Sequence, residues 1–167
     1  MTQELRDLRN SILQGRYEDA LAIVDELEGM SKQAILRNIQ SYLKILLIHL
    51  IKNQVEKRLT NSWVASIRNS VREIQKINIK DNKKSYYVNQ DEWECLIEEE
   101  VIEDAIADAS LEVMNGAYNQ FQLADLVNRQ ELMQKAVELL LLTYTYSPKE
   151  LPRIVAEKLI QLPGAEN

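Results

Sequence analysis

The chain has 167 residues, of which 46% are apolar, 28% charged and 6% aromatic, which is typical of one globular domain able to bury a core. Four glycines and three prolines are too few for many short strands, one cysteine excludes an intrachain disulfide framework, and one histidine excludes any site that needs two imidazoles. The net charge of −6 is uneven: residues 1–31 carry −4, residues 32–84 carry +9 and residues 85–167 carry −11.

The apolar spacing predicts a helical hairpin over residues 1–30. The first apolar stripe consists of Leu5, Leu8 and Ile12. Gly15 suits the left-handed residue that ends a helix, and Gly29 closes the predicted second helix in the same way. The second stripe consists of Tyr17, Ala20, Leu21, Val24 and Leu27.

A longer helix is predicted over about residues 31–54, with Ser31 as its N-cap. Its apolar residues are Ile35, Ile39, Tyr42, Leu43, Leu46, Leu47, Ile48, Leu50 and Ile51. A helix that is apolar on nearly all sides is buried, so this segment is predicted to be the central helix of the fold. None of its apolar runs reaches the roughly 20 residues of a membrane span.

The next predicted helix completes a central segment, residues 31–77. It begins at Asn61 or Ser62 and ends near Ile77. One face carries the apolar residues Trp63, Ile67, Val71 and Ile74. The apolar period is lost over residues 78–90, which are predicted to form an exposed loop.

Residues 91–162 predict the acidic C-terminal helices. Asp91 is the expected cap of a helix that continues to about Met114, and Asn115 with Gly116 breaks it. The following helical pattern is interrupted near Asn128. The last helix begins either in a capping box at Ser147 or at Pro152, and it ends near Leu162. With no convincing strand, the sequence predicts a single all-α domain of six or seven helices.

Carboxylates on the acidic helix form the first candidate for chemistry. Glu100, Asp104 and Asp108 follow one another at four-residue spacing, with Glu99 and Glu103 beside them. Such a column can hold magnesium or manganese, because hard cations prefer several carboxylate oxygens. A solvated face, or one paired with basic residues, is the favoured interpretation.

Basic residues form the second candidate. Arg68, Arg72 and Lys76 are spaced one turn apart, and Lys83 and Lys84 follow in the predicted loop. The row could contact phosphates while the neighbouring tyrosine pair, residues 86–87, stacks on bases. The favoured alternative is that the row is solvated or pairs with the acidic column across a helix interface.

The isolated reactive side chains favour structural roles. His49 lies in an apolar run and is expected to be a buried neutral imidazole hydrogen-bonded to a carbonyl or hydroxyl. Cys95 has acidic neighbours that raise the pKa of a thiol, and it is expected to be half-buried. No glycine-rich phosphate loop or Gly-x-Ser-x-Gly motif occurs, so no cofactor or catalytic residue is predicted.

The stretch LLIHLIKNQVEKRLTNSWVASIRNSVREIQKI, residues 46–77, resembles the core of a cyanobacterial family of uncharacterised proteins, the domain of unknown function numbered twenty-nine. The family pattern is a helix ending in His-Leu-Leu-Lys, a basic linker, a Ser-Trp pair and an Ile-x-x-x-Arg helix. The positions that match it most visibly are His49, Lys52, Trp63 and Arg72.

The resemblance extends over about residues 13–112, through LQGRYEDALAIVDELEGM upstream and EDAIADAS downstream. It implies an all-helical fold and a cyanobacterial source, but no activity and no catalytic residue. Two departures from the family pattern are Asn53, where members often have an aromatic residue, and a longer helical C-terminal segment over residues 120–162.

These observations predict a non-catalytic protein that binds a protein partner or itself through a helical surface. The N-terminus lacks a signal-peptide pattern, so a soluble cytoplasmic protein without membrane contact is expected. One alternative is nucleic-acid binding by residues 68–84. The other is a metal-dependent hydrolase that uses Glu100, Glu103 and Asp104.

Overall fold

Helices provide nearly all the regular structure of the chain in the computed structural model, which describes residues 2–165. In chain order they are α1 (Gln3–Leu13), α2 (Tyr17–Glu56), α3 (Asn61–Asn78), α4 (Trp93–Leu96), α5 (Ile102–Ser110), α6 (Gln120–Leu126), α7 (Arg129–Thr145) and α8 (Leu151–Leu159). A π-helical turn, Ile97–Val101, joins α4 to α5 in one continuous helix. Residues 2–165 therefore contain seven helices and no strand, which confirms the predicted all-α fold.

The chain divides into two units between Arg37 and Asn38. The first unit consists of α1 and the beginning of α2. The Thr2 hydroxyl caps α1 by accepting a hydrogen bond from the Leu5 N–H. Gly15 then turns the chain with a φ of +73°, a left-handed conformation that glycine adopts without steric cost. The predicted turn at this glycine is therefore correct.

The helix α2 is longer than the sequence predicts. Gly29 and Ser31, expected to end one helix and begin the next, both lie inside its 40 residues. An isolated exposed glycine costs a helix only about 1 kcal/mol relative to alanine, and the strong helix formers around it, from Leu27 to Ala34, offset that cost. The predicted break at Gly29 and Ser31 is wrong because neither residue outweighs the helix-forming residues around it.

The second unit is built around residues 38–56 of α2. Its fully buried core there consists of Ile39, Leu43, Leu46, Leu47, Leu50 and Ile51. The predicted central buried helix is thus confirmed from Ile39 onward, whereas Ile35, expected in the same apolar stripe, is half-buried. Burying each such side chain contributes roughly 1.5–3 kcal/mol, so this stripe is a large part of the driving force for folding.

Hydrogen bonds connect the C-terminal end of α2 to distant parts of the second unit. The Gln54 side chain donates to the Asn128 carbonyl at 3.1 Å and accepts from the Asn128 N–H at 2.9 Å, at the junction between α6 and α7. The Asn53 side chain donates to the Pro163 carbonyl at 2.8 Å. Asn53, the departure from the family pattern, therefore attaches the C-terminal segment to α2.

Length and composition alone would allow one helix in the described part of the chain, α2, to cross a membrane. One third of its apolar window is buried inside the structure, and the core helices of soluble proteins satisfy the same criterion. Apart from Ala20, the buried residues of α2 lie in its second half, within residues 38–56.

Several helix caps lie one or two residues away from their predicted positions. Thr60, rather than Asn61 or Ser62, caps α3 by accepting from the Trp63 N–H at 3.1 Å. Asn89, rather than Asp91, begins the acidic helical stretch, because Glu92 completes a capping box with it. These short polar residues are chemically equivalent as caps, so the sequence alone could not select among them.

The last two helices follow the predicted order with shifted ends. The chain between α6 and α7 breaks at Asn128, as predicted, and the Asn128 side chain accepts from the Glu131 N–H. The reciprocal hydrogen bonds of a capping box form between Ser147 and Glu150, but α8 begins only at Leu151. It ends at Leu159, three residues before the predicted end.

A buried hydrogen-bond network fixes the segment between α3 and α4. The Asn78 side chain accepts from the Val88 N–H at 2.7 Å and donates to the Val88 carbonyl at 2.9 Å. The Tyr144 hydroxyl donates to the same carbonyl at 2.6 Å and accepts from the Trp93 indole N–H at 2.7 Å. Burial, which disfavours the phenolate, raises the pKa of Tyr144 to about 12. The predicted loop is therefore anchored at Val88, and its tip, residues 81–84, is exposed.

Replacing Tyr144 with phenylalanine is expected to lower the free energy of unfolding by about 1–3 kcal/mol, because it leaves the buried Trp93 N–H without an acceptor. Urea unfolding followed by circular dichroism measures the change. The same replacement at exposed Tyr17 is the matched control and should change stability by less than about 0.5 kcal/mol. Equal effects of the two replacements would contradict the role of the network.

Candidate functional site

Three of the four residues that match the family pattern meet at one place in the second unit. His49 and Lys52 lie one turn apart on α2, and Trp63 lies in the first turn of α3. The rings of His49 and Trp63 have centroids 6.4 Å apart. The spacing of these residues in the sequence thus reflects a contact between α2 and α3.

Two cations lie against the indole of Trp63. The Lys52 ammonium nitrogen is 4.7 Å from the ring centroid, and the Arg58 guanidinium carbon is 4.8 Å from it. Such cation–π contacts contribute roughly 0.5–2 kcal/mol each, more where water is excluded. The sequence interpretation missed Arg58, although the basic linker between Lys52 and Trp63 was the available signal.

Lys52 is buried, with 8% of its surface exposed, and so its charge needs a partner. The carboxylate of Glu112 supplies one, with 3.6 Å between the Lys52 Nζ and the Glu112 Oε1. Glu112 lies 60 residues further along the chain, between α5 and α6, and no sequence motif connects the two residues. His49, Lys52, Arg58, Trp63 and Glu112 are called the Trp63 cluster below.

The imidazole of His49 is largely neutral at neutral pH. Burial, followed by the neighbouring Lys52 charge, lowers the pKa of His49, while Glu112 opposes the shift. The unfolded chain therefore binds this proton more readily. The contribution of neutral His49 to the free energy of unfolding is therefore fully present above the ordinary pKa of 6.5, and it declines as the pH falls below that value. The expected hydrogen bond is not formed at Nδ1, which is buried without a partner.

The fourth matching residue, Arg72, lies outside the Trp63 cluster and belongs to the basic row. Arg72 Nε is 3.9 Å and Lys76 Nζ is 3.6 Å from Glu73 Oε1 on the same helix. Arg72 also donates to the Asn69 side chain at 2.9 Å, and Arg68 is exposed. The row lies on α3, where its ion pairs are with Glu73 of the same helix and Arg68 is exposed, so of the two favoured alternatives the solvated row describes it better than pairing with the acidic column.

The predicted phosphate-contacting loop and its aromatic pair have separate surroundings. Lys83 and Lys84 are exposed at the loop tip. Tyr86 packs edge-on against Tyr144, with ring centroids 4.7 Å apart, and the Lys80 ammonium lies 5.6 Å from the Tyr87 ring centroid. Both tyrosine rings therefore have partners within the chain, and phosphate binding by this segment stays a prediction.

The acidic column contacts other helices through two ion pairs. Lys44 Nζ is 2.9 Å from Asp108 Oδ2, and this hydrogen bond raises the pKa of Lys44. Arg129 Nη1 is 2.6 Å from Glu103 Oε1. Among residues 2–165, no three His, Cys, Asp or Glu side chains come together as metal ligands would. The column is thus used in part for contacts to α2 and α7.

Cys95 is exposed, not half-buried as expected. It lies on the outer side of α4, and the carboxylate of Glu99 one turn later raises the pKa of its thiol. The direction of the shift in the pKa of Cys95 agrees with the prediction, but the carboxylates that cause it are Glu99, Glu98 and Glu100, not the expected Glu92 and Glu94. A raised pKa keeps the thiol protonated at neutral pH and weakens it as a nucleophile.

Comparison with known proteins identifies one family. The family model described as Domain of unknown function DUF29 matches residues 2–125, which include α1 to α5 and nearly all of α6. The matched region contains the complete Trp63 cluster. No curated protein and no solved structure matches the chain.

The titration of His49 tests the electrostatics of the Trp63 cluster directly, because the chain has one histidine and its imidazole resonances in NMR are unambiguous. We expect a pKa below 6.5 in the native chain. Lys52→Met should raise it, because a repelling charge is removed, and Glu112→Gln should lower it further. Arg72→Gln, outside the cluster, is the control and should leave it unchanged. Shifts of the opposite sign would contradict the described geometry.

Proposed function

The chain belongs to the family described as Domain of unknown function DUF29, and we propose that it is a non-catalytic protein–protein interaction module. The single observation that supports this proposal is the distribution of apolar surface in the first unit, residues 2–37. Among these residues only Ser11 and Ala20 are buried. The exposed large apolar side chains there are Leu5, Ile12, Leu13, Tyr17, Leu21 and Met30.

The first unit has too small a core of its own to account for its apolar sequence. Its two buried side chains, Ser11 and Ala20, are small, so they allow α1 and α2 to approach but contribute little apolar area. Leu13 and Leu21 are 73% and 63% exposed. Isolated apolar residues on a surface are ordinary, but a concentration of them in one short segment is typical of a binding surface.

The α1 helix presents its apolar residues as a connected patch. Leu5, Leu8 and Ile12 follow one face, and together with Arg9 and Leu13 they line a shallow pocket of about 230 Å³. Side chains spaced in this way form the ridge that a partner helix can pack against. The proposed partner is a protein, either a second copy of this chain or another one, and the proposed compartment is the cytoplasm.

The test uses two double variants that each add two negative charges. Leu13→Glu with Leu21→Glu places them on the apolar surface, whereas Asn10→Glu with Gln33→Glu places them on exposed polar positions of the same segment. Sedimentation velocity measures self-association, and quantitative affinity capture from cells measures binding of other proteins. We expect the first variant, but not the second, to weaken association at least about tenfold, because two apolar contacts are lost.

Circular dichroism should show the same helix content in both variants, since all four positions are exposed. A native chain that stays monomeric and captures no protein lost by the first variant would contradict the proposal. The proposal would also be contradicted if the first variant bound lipid vesicles less well than the native chain but associated with proteins equally well. The apolar surface would then be a membrane contact.

A further inference from the structure

A groove in the second unit has the properties of a helix-binding surface, and none of its lining residues belongs to the first unit. It lies between the helical stretch of residues 93–110 and α7, and its volume is about 610 Å³. Its apolar lining consists of buried Ile102 and half-buried Met133, Val137 and Leu141. The last three recur every four residues along α7, so the apolar floor extends over roughly 12 Å, or two helical turns.

The rim of this groove is acidic. Glu94 and Glu98 project from one side and Glu138 from the other, and all three side chains are exposed. The one cation in the lining, Arg129, is already paired with Glu103 at 2.6 Å. No ion pair involves the three rim carboxylates within residues 2–165, so the groove has an unbalanced negative charge beside an apolar floor.

The backbone on one side of the groove is irregular. In the π-helical turn the Ile102 N–H donates to the Ile97 carbonyl, five residues back, instead of four. This turn buries Ile97 and Val101 while Glu98 stays on the exposed side. A π turn inside an α-helix is uncommon and occurs frequently at functional sites. Here it lies between Glu94 and Ile102, which both line the groove.

We propose that this groove binds a basic amphipathic helix of a partner protein. Apolar side chains of that helix, spaced at three and four residues, occupy the floor formed by Met133, Val137 and Leu141. Lysine or arginine side chains flanking them pair with Glu94, Glu98 and Glu138. Charge complementarity selects this occupant, because an acidic or uncharged helix would leave the three carboxylates without partners.

The test measures binding of a fluorescent peptide of about 16 residues, in which leucines at helical spacing form one face and lysines the other. A second peptide replaces every lysine with glutamate. The groove variant is Glu98→Gln with Glu138→Gln, and the control variant is Glu100→Gln with Asp125→Asn. Both variants remove two exposed carboxylates, so attraction by net charge alone changes equally.

We expect the native chain to bind the lysine peptide and not the glutamate peptide. The groove variant should weaken binding at least about fivefold, and the control variant less than about twofold. Equal losses in both variants would overturn the proposal, since binding would then follow net charge and not the groove. No binding of the lysine peptide at up to about 100 μM would overturn it as well. All four substitutions are at exposed positions, and thermal unfolding checks that the variants fold.

Discussion

Burial of the apolar residues in the second half of α2 determines how residues 38–165 are arranged. Between Ile39 and Ile51 this helix is apolar on nearly all sides, so several neighbouring helices must exclude water from it. The polar residues just beyond the apolar stretch then hold those neighbours in position. Asn53 bonds to the Pro163 carbonyl and Gln54 bonds to Asn128. The first half of the same helix, residues 17–37, lacks such surroundings, and its apolar side chains other than Ala20 stay exposed or half-buried. One helix thus serves as the core of one unit and as an accessible surface in the other.

Opposite charges in the middle and C-terminal parts of the chain meet on α2. Lys44 pairs with Asp108, and Lys52 pairs with Glu112. The exposed Lys44–Asp108 pair contributes at most about 1 kcal/mol. Lys52 differs because it is buried, and both the carboxylate of Glu112 and the indole of Trp63 stabilise its charge. Removing one member of this group leaves a charge without a partner at a site that water reaches only in part. The stability of the fold alone can therefore explain why His49, Lys52 and Trp63 occur together.

The helices and their apolar faces could be predicted from the sequence because both depend on local spacing. The buried residues of α2 and the face of α3 that carries Trp63 follow directly from a period of 3.6 residues. Helix ends were less predictable. Gly29 is typical of a helix C-terminus, yet the residues around it keep α2 continuous. Contacts distant in sequence could not be predicted, and Glu112 is the clearest example, since nothing near Lys52 indicates a partner 60 residues away. The groove along α7 also depends on such contacts, because its two sides come from segments about 35 residues apart.

Hydrogen exchange along α2 in the isolated native chain tests most directly whether the two halves of this helix are held by different surroundings. Amides between Ile39 and Ile51 should exchange only through opening of the second unit, whereas amides between residues 17 and 37 should exchange at least about a hundredfold faster. Mass spectrometry of peptides from the two halves gives both rates in one experiment. Equal protection along the whole of α2 would contradict the account, because the first half would then have a core of its own and no need of a partner.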